Sequence, residues 1–205
     1  EGTFSRGELV GRGSVRYRRG DRYEGEMRGL RRHGEGECTY ASGVWRYRGS
    51  WADDARSGRG VLSSRHGDVY EGEWAADHPH GAGARKRASG AREEGSFARG
   101  ELHGAGVRVD AEGGTWTGTF VDGRLEGDGR HEIGGTVYVG NFAAGLYDGH
   151  GTRTHADGAR YEGGWAAGAH DGAGRLWYAD GDCYDGDFRA GLRHGCGVFV
   201  AVAAK

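Results

Sequence analysis

His194 and Cys196 stand two residues apart near the end of a 205-residue chain. On a β-strand that spacing sets both side chains on one face. Two copies of the strand, brought together by a two-fold axis, would supply two thiolates and two imidazoles, a tetrahedral set suited to structural zinc. His170 and Cys183 are near enough in sequence to join them. The competing reading makes His194 an ordinary loop-end residue and Cys196 a small half-buried one. The other histidines favour it. His33, His80 and His103, like His194, each precede a G-x-G pair, and the same slot elsewhere holds Ser57, Glu126, Asp148 or Asp171. A slot that accepts imidazole, hydroxyl and carboxylate alike suits hydrogen bonding to nearby backbone. No Ser/His/Asp constellation stands out. The G-x-G pairs lack the strand-then-helix setting of a phosphate loop. The chain therefore reads as a non-enzyme that requires no cofactor, with zinc at His194 and Cys196 as the metal to test.

What must position these side chains is a repeat. Tyr23, Tyr47, Tyr70, Glu93, Trp116, Tyr138, Tyr161 and Tyr184 are spaced by 24, 23, 23, 23, 22, 23 and 23 residues. Two residues on from each comes a glycine, from Gly25 to Gly186. Two further on comes Met27, Trp51, Trp74, Phe97, Phe120, Phe142, Trp165 or Phe188. Seven residues later a G-x-G pair begins, as at Gly34/Gly36, Gly172/Gly174 and Gly195/Gly197. Gly2, Phe4, Gly11 and Gly13 fit the same frame, so residues 1–205 form one array of about nine units, starting near 1, 23, 47, 70, 93, 116, 138, 161 and 184. Glu1 falls inside a unit, so the chain is expected to be part of a longer protein.

Inside each unit the period is two. Tyr161, Gly163 and Trp165 share one strand face, and Gly172, Gly174 and Leu176 share another after a short loop. "ASG" at 41–43, "ADG" at 156–158 and "ADGD" at 179–182 are turn signals. Each unit reads as a β-hairpin. Helix is disfavoured, because glycine costs about 0.8–1 kcal/mol per interior helical position relative to alanine. Leu, Ile, Val and Phe number only 28 of 205 residues, about 14%, below the ~20% under which disorder is the usual expectation. The net charge of −2 and the regular placement of the rings argue against disorder. A lone hairpin is marginal in water, so hairpins must stack. Bare glycine backbone lets a neighbouring ring lie flat upon it. The fold expected is all-β: an elongated, single-layer, twisted antiparallel sheet of about nine stacked 23-residue hairpins.

The unit Y-x-G-x-W followed by G-x-G resembles the MORN repeat, as in "YEGEWAADHPHGAG" at 70–83 and "YEGGWAAGAHDGAG" at 161–174. Glu93 and Met27 depart from it. An all-repeat chain of this kind is similar to cytoskeleton-associated MORN scaffolds, including those of protozoan parasites. The resemblance implies dimerisation or higher assembly, docking of partner proteins and contact with phospholipid.

The residues point the same way on self-association. A stack of hairpins has an open edge strand at each end, and open edges pair or must be blocked. Val198, Phe199, Val200 and Val202 follow one another with no charge until Lys205, and Trp177, Tyr178, Phe188 and Leu192 lie close in sequence. The expectation is a two-fold homodimer through the C-terminal repeats. The stripe Tyr47, Trp51, Tyr70, Trp74, Trp116, Tyr138, Tyr161 and Trp165 would form a groove for a peptide, unless all of its rings are used in packing on glycine. Residues 1–48 carry a net charge of +4 and residues 111–205 one of −5. That asymmetry is too weak for nucleic acid, which asks for a dense basic face. Anionic phospholipid would meet Arg16, Arg18, Arg19, Arg31 and Arg32, or Arg85–Arg87, but Glu24, Glu26, Glu35 and Glu37 dilute the first group. No run approaches the ~18–20 apolar residues of a membrane span. Three scattered cysteines fit a reducing compartment. The sequence reading is thus a cytoplasmic scaffold, cytoskeleton- or membrane-associated, that docks partner proteins. The alternative is a phospholipid-binding module that tethers a complex to membrane.

Overall fold

A computed structural model of the chain describes residues 2–5 and 8–202. The side chains of residues 3–10, Phe4 among them, lie outside the described set. The described residues form eighteen strands. The first nine are β1 (Gly2–Ser5), β2 (Glu8–Arg16), β3 (Arg22–Arg28), β4 (Arg31–Thr39), β5 (Trp45–Ala52), β6 (Ala55–Ser64), β7 (Val69–Ala75), β8 (His78–Lys86) and β9 (Arg92–Ala98). The others are β10 (Glu101–Val109), β11 (Thr115–Val121), β12 (Arg124–Ile133), β13 (Thr136–Ala143), β14 (Leu146–Thr154), β15 (Arg160–Ala166), β16 (Ala169–Trp177), β17 (Cys183–Arg189) and β18 (Leu192–Val200). Each strand pairs antiparallel with the next in sequence, as β15 does with β16 and β16 with β17, so the fold is an all-β meander of repeated hairpins. Among the described residues no helix is long and apolar enough to cross a membrane.

Two kinds of turn alternate. Within a unit the hairpin closes on two residues. Ala166 pairs with Ala169, and Ala167 (φ 47°) and Gly168 (φ 84°) between them are both left-handed, the geometry that matches strand twist in a tight hairpin. Between units the loop is longer: Trp177 pairs with Cys183, and Tyr178 and Asp182 close residues 178–182 through a 2.8 Å backbone bond.

The unit beginning at Tyr161 explains the G-x-G pair. Gly172 is left-handed (φ 81°) and sits where the β15–β16 register shifts, a bulge that a residue with a Cβ adopts only under strain. Gly174 has a different task. A Cβ on it would lie closer than 3.0 Å to the Tyr161 ring, because the ring rests on its bare backbone. The bulge takes Gly164 out of the ladder, and the Tyr161 hydroxyl donates to the Gly164 carbonyl at 2.9 Å. Tyr23, Tyr47, Tyr70, Tyr138 and Tyr184 make the same bond to the carbonyl three residues on. One glycine is therefore required for backbone angle and the other for close approach.

The chain packs as two compact units, Glu1–His103 and Gly104–Lys205. In the first, the core is a series of edge-to-face rings: Tyr23 on Trp51, Trp51 on Tyr47, Tyr47 on Trp74, Trp74 on Tyr70 and Tyr70 on Phe97, with centroids 5.0–5.6 Å apart. In the second, Phe142, Tyr138, Trp165, Tyr161, Phe188 and Tyr184 continue the pattern at 5.0–5.2 Å. Pairs of this geometry are worth roughly 0.5–1.5 kcal/mol each beyond the area they bury. The units that lack the leading tyrosine solve the problem differently. Leu102 and Leu125 are fully buried. The Leu125 methyls lie where a Cβ on Gly118 or Gly129 would be, at 2.8 and 2.9 Å. Trp116, expected to fill that place, is instead half-buried and stacked on His131.

Replacing Gly174 by Val should lower stability by about 2 kcal/mol or more, because the Tyr161 ring must leave its seat. Thermal unfolding of the variant against the parent measures this, and an unchanged melting temperature would contradict the packing.

Candidate functional site

The aromatic stripe that sequence spacing offered as a peptide groove is closed. Tyr47, Trp51, Tyr70, Trp74, Tyr138, Tyr161 and Trp165 are all buried. Their faces meet glycine backbone and one another, and the indole N–H groups of Trp51, Trp74 and Trp165 donate to the carbonyls of Gly36, Gly60 and Gly151 at 3.1–3.3 Å. Only Trp116 among the eight retains partial exposure. These rings are taken up by the fold; of the eight, Tyr70 and Trp74 also reach the wall of a hollow on the ring side.

A position that spacing did not reveal decides how each unit holds the next. It lies nine residues after the leading tyrosine and is occupied by Arg32, Arg56, Pro79, Leu102, Leu125, Tyr147, His170 or Arg193. Its carbonyl accepts the N–H of the following hairpin turn, as Leu125 does from Gly145 (3.0 Å), Tyr147 from Gly168 (2.8 Å) and His170 from Gly191 (2.9 Å). In five of the units its side chain covers a ring. The Arg32 and Arg56 guanidiniums lie 4.2 Å over Trp51 and Trp74 and also bond Asp54 and Asp77 in the next turn. Tyr147 stacks on Tyr138 at 3.8 Å and His170 on Tyr161 at 3.6 Å. The slot before each G-x-G pair works beside it. Glu126, Asp148 and Asp171 accept from the N–H groups of Ala144, Ala167 and Ala190 in the following turn. The polar loop-end slot is thus a link between repeats.

Burial among these rings pushes the His170 imidazole down to about 4 from 6.5, with Arg153 and His155 adding repulsion. His131, stacked on Trp116 and within 2.6 Å of the Tyr147 hydroxyl, is lowered mainly by burial as well.

The face opposite the rings is polar. In the first unit a groove of about 850 Å³ runs over Gly49, Gly60, Gly72, Gly83 and Gly95, walled by Glu35, Arg48, Arg59, Glu71, Glu73 and Glu94 with Val61, Ala82 and Ala84 between them. On the ring side of the same unit a hollow of about 650 Å³ is bounded by Trp45, Leu62, Val69 and Pro79, with Arg85, Lys86 and Arg87 at its margin. Asp68 and Asp77 share that margin, Arg85 pairs with Glu93 at 3.1 Å, and Arg56 pairs with Asp77. In neither place do the residues assemble a nucleophile with a base.

The C-terminal residues separate. On β18, Leu192, Val198, Phe199 and Val200 are exposed, as is Val202 beyond it. Trp177 and Tyr178 are half-buried. Phe188, grouped with them by sequence, is buried against Tyr161, His170 and Tyr184 and presents nothing outward. His194 and Cys196 are exposed on the same strand. His170 is engaged with Tyr161 instead of approaching them. Among the described residues of one chain, no three His, Cys, Asp or Glu side chains gather to hold a metal.

A family model described as MORN repeat matches residues 1–22, 23–44, 47–69, 70–92, 94–115, 138–160, 161–183 and 184–201. The stretch 116–137 lies between two matches, and it is the unit in which Leu125 does the work of the tyrosine. None of the curated proteins matches the chain.

The His170 stack carries a sign for acid stability. The folded state holds this imidazole neutral at a pH where the unfolded chain binds a proton, so its contribution is complete above about pH 6.5 and is lost as pH falls toward 4. His170→Tyr, which copies Tyr147 one unit earlier, should lessen the fall in melting temperature between pH 6.5 and 4. A parallel decline in parent and variant would refute the assignment.

Proposed function

The chain belongs to the MORN-repeat family, and from that premise we propose that it is a non-catalytic structural scaffold. It self-associates through its C-terminal repeats and docks partner proteins at the cytoskeleton or cell cortex. Repeats of this family serve in general as modules for contact with proteins or membranes. The observation that carries the finer reading is β18. It pairs with β17 on one side, and its Val198, Phe199 and Val200 side chains, with Leu192 at its start, stand exposed. Among the described residues only β17 is seen to pair with it, and an apolar strand at an edge invites a second strand. The polar groove over Gly60, Gly72 and Gly83, open along its length, gives partner proteins a surface that the buried rings cannot.

A second reading, phospholipid binding, is supported by the hollow beside Arg85, Lys86 and Arg87, where exposed Trp45 would enter the headgroup region. Asp68 and Asp77 at the same margin weaken it. Liposome flotation across a salt series separates the two readings. Lipid tethering requires binding to anionic vesicles that falls as salt rises, and the scaffold reading predicts none.

Light scattering on the 205-residue chain should give the mass of a dimer, and Val198→Lys with Val200→Lys should return it to a monomer without changing the melting temperature of the monomeric fold. A parent that is monomeric at every concentration, or a doubly substituted chain that remains dimeric, would place the contact elsewhere or remove it.

A further inference from the structure

Among the described residues, seven of the loops between repeats are built alike. The N–H of the fourth residue returns to the carbonyl of the first, as Gly90 does to Arg87 at 2.9 Å and Gly158 to His155 at 3.0 Å. The third residue is Arg19, Ser42, His66, Ser89, Glu112, Asp157 or Asp180. Where it is serine or aspartate, its side-chain oxygen accepts the N–H two residues on. Ser42 accepts from Val44 at 3.2 Å, Ser89 from Ala91 at 3.4 Å, Asp157 from Ala159 at 3.0 Å and Asp180 from Asp182 at 3.0 Å. Hydroxyl and carboxylate are interchangeable in this position, so the loop holds a negative charge without rearranging.

Ser42 and Ser89 share the position and are both exposed. What precedes them differs. Cys38, Thr39, Tyr40 and Ala41 carry no cation, whereas Arg85, Lys86, Arg87 and Ala88 include three. No other serine or threonine of the chain has three cations among the four residues before it. Arg85 is held by Glu93 and by the Gly100 carbonyl. Lys86 at the end of β8 and Arg87 at the start of the loop are exposed, as are the small residues Ala88 and Gly90 that flank the serine. In the bond to Ala91 the Ser89 oxygen is the acceptor, so the hydroxyl hydrogen is not spent there. Straightening the loop for an enzyme's cleft costs little structure: two backbone bonds from Arg87, to Gly90 and Ala91, and the bond from the Ala88 N–H to Asp68 at 3.0 Å.

We propose that Ser89 is a phosphorylation site for a serine kinase that reads basic residues ahead of its target. Lys86 and Arg87 meet acidic side chains of the kinase, and the loop presents the hydroxyl. The Ser89 oxygen bonds to the γ-phosphorus of magnesium-bound ATP, the bond from that phosphorus to the oxygen bridging it to the β-phosphate breaks, ADP leaves, and the hydroxyl proton passes to the kinase's carboxylate base. Phosphoserine carries a charge of about −1.5 to −2 at neutral pH. Ser89 thereby takes the sign of Asp157 and Asp180, and the charge of Lys86 and Arg87 is cancelled where it stands. The proposal depends on neither the scaffold reading nor the phospholipid reading.

Incubation of the 205-residue chain with the catalytic subunit of cyclic-AMP-dependent protein kinase and magnesium ATP tests the site. Mass spectrometry of the digested product should place the phosphate on Ser89 and leave Ser42, its counterpart without cations, unmodified. Lys86→Ala with Arg87→Ala keeps the serine in its loop and should lower the initial rate by about tenfold or more. Ser89→Ala should abolish the label, and a kinase that reads acidic residues should give none at this site. Ser89→Asp, which copies Asp157 and Asp180, should unfold at the parent's temperature. Phosphate on Ser42 as fast as on Ser89, a rate indifferent to Lys86 and Arg87, a Ser89→Asp chain that melts clearly lower, or a native chain that takes up no label overturns the proposal.

Discussion

One contact underlies the whole molecule: a tyrosine ring laid on the bare backbone of a glycine in the partner strand, with its hydroxyl closing a carbonyl that a bulge has freed. Neither half is stable without the other. Glycine in a strand loses packing and gains disorder in the unfolded chain, and a tyrosine on an exposed sheet would leave its ring in water. Together they bury the ring almost completely, as for Tyr47, Tyr138 and Tyr161. They also fix the hydroxyl as a donor, since burial raises its pKa, to about 12 for Tyr161, and holds it protonated. The edge-to-face series then grows from this seat, because each ring that rests on glycine offers its edge to the next.

The seat tolerates substitution where the volume can be supplied from elsewhere. Where the leading residue is Trp116, Leu125 nine residues later fills the space over Gly118 and Gly129, and in the unit led by Glu93 the equivalent Leu102 is fully buried. The cost is the phenolic hydrogen bond, while Trp116 keeps an edge contact with Phe142 at 6.0 Å. The ring series of the first unit ends at Phe97, and the division between the two compact units falls at His103/Gly104, beside Leu102. Leucine supplies bulk without a face, so it can cover a backbone but cannot hand a ring contact onward.

Much of this was legible in the sequence. The 23-residue period, the strand period of two, the hairpins and the seating of rings on glycine all follow from residue type and spacing, since each is a local or nearest-neighbour effect. The stripe of rings was legible with two uses left open, a groove or packing on glycine, because the choice between them depends on what the next unit brings to the same place. The position of Arg56, Tyr147 and His170 was hidden for a related reason. Alternation already sets His170 on the ring side with Gly174 and Leu176, but it is the register shift between Gly163 and Trp165 that brings it opposite Trp165. Its occupants are also chemically mixed, with arginine, proline, leucine, tyrosine and histidine in one slot, so no compositional signal marks it. Phe188, grouped by sequence with exposed valines, is buried because Tyr161 and His170 of the preceding unit cover it, which proximity in sequence does not reveal.

The links between repeats join each turn only to the turn that follows it. Arg56 bonds Asp77, Asp148 accepts from Ala167, Asp171 accepts from Ala190, and no described bond of this kind skips a unit. Copying or losing one whole unit in frame would therefore reconnect every clasp with an equivalent one, whereas an insertion of any other length within a strand would put tyrosine and glycine out of step. A gene of this design can change its length by recombination between its own repeats while the protein it encodes remains foldable at every step.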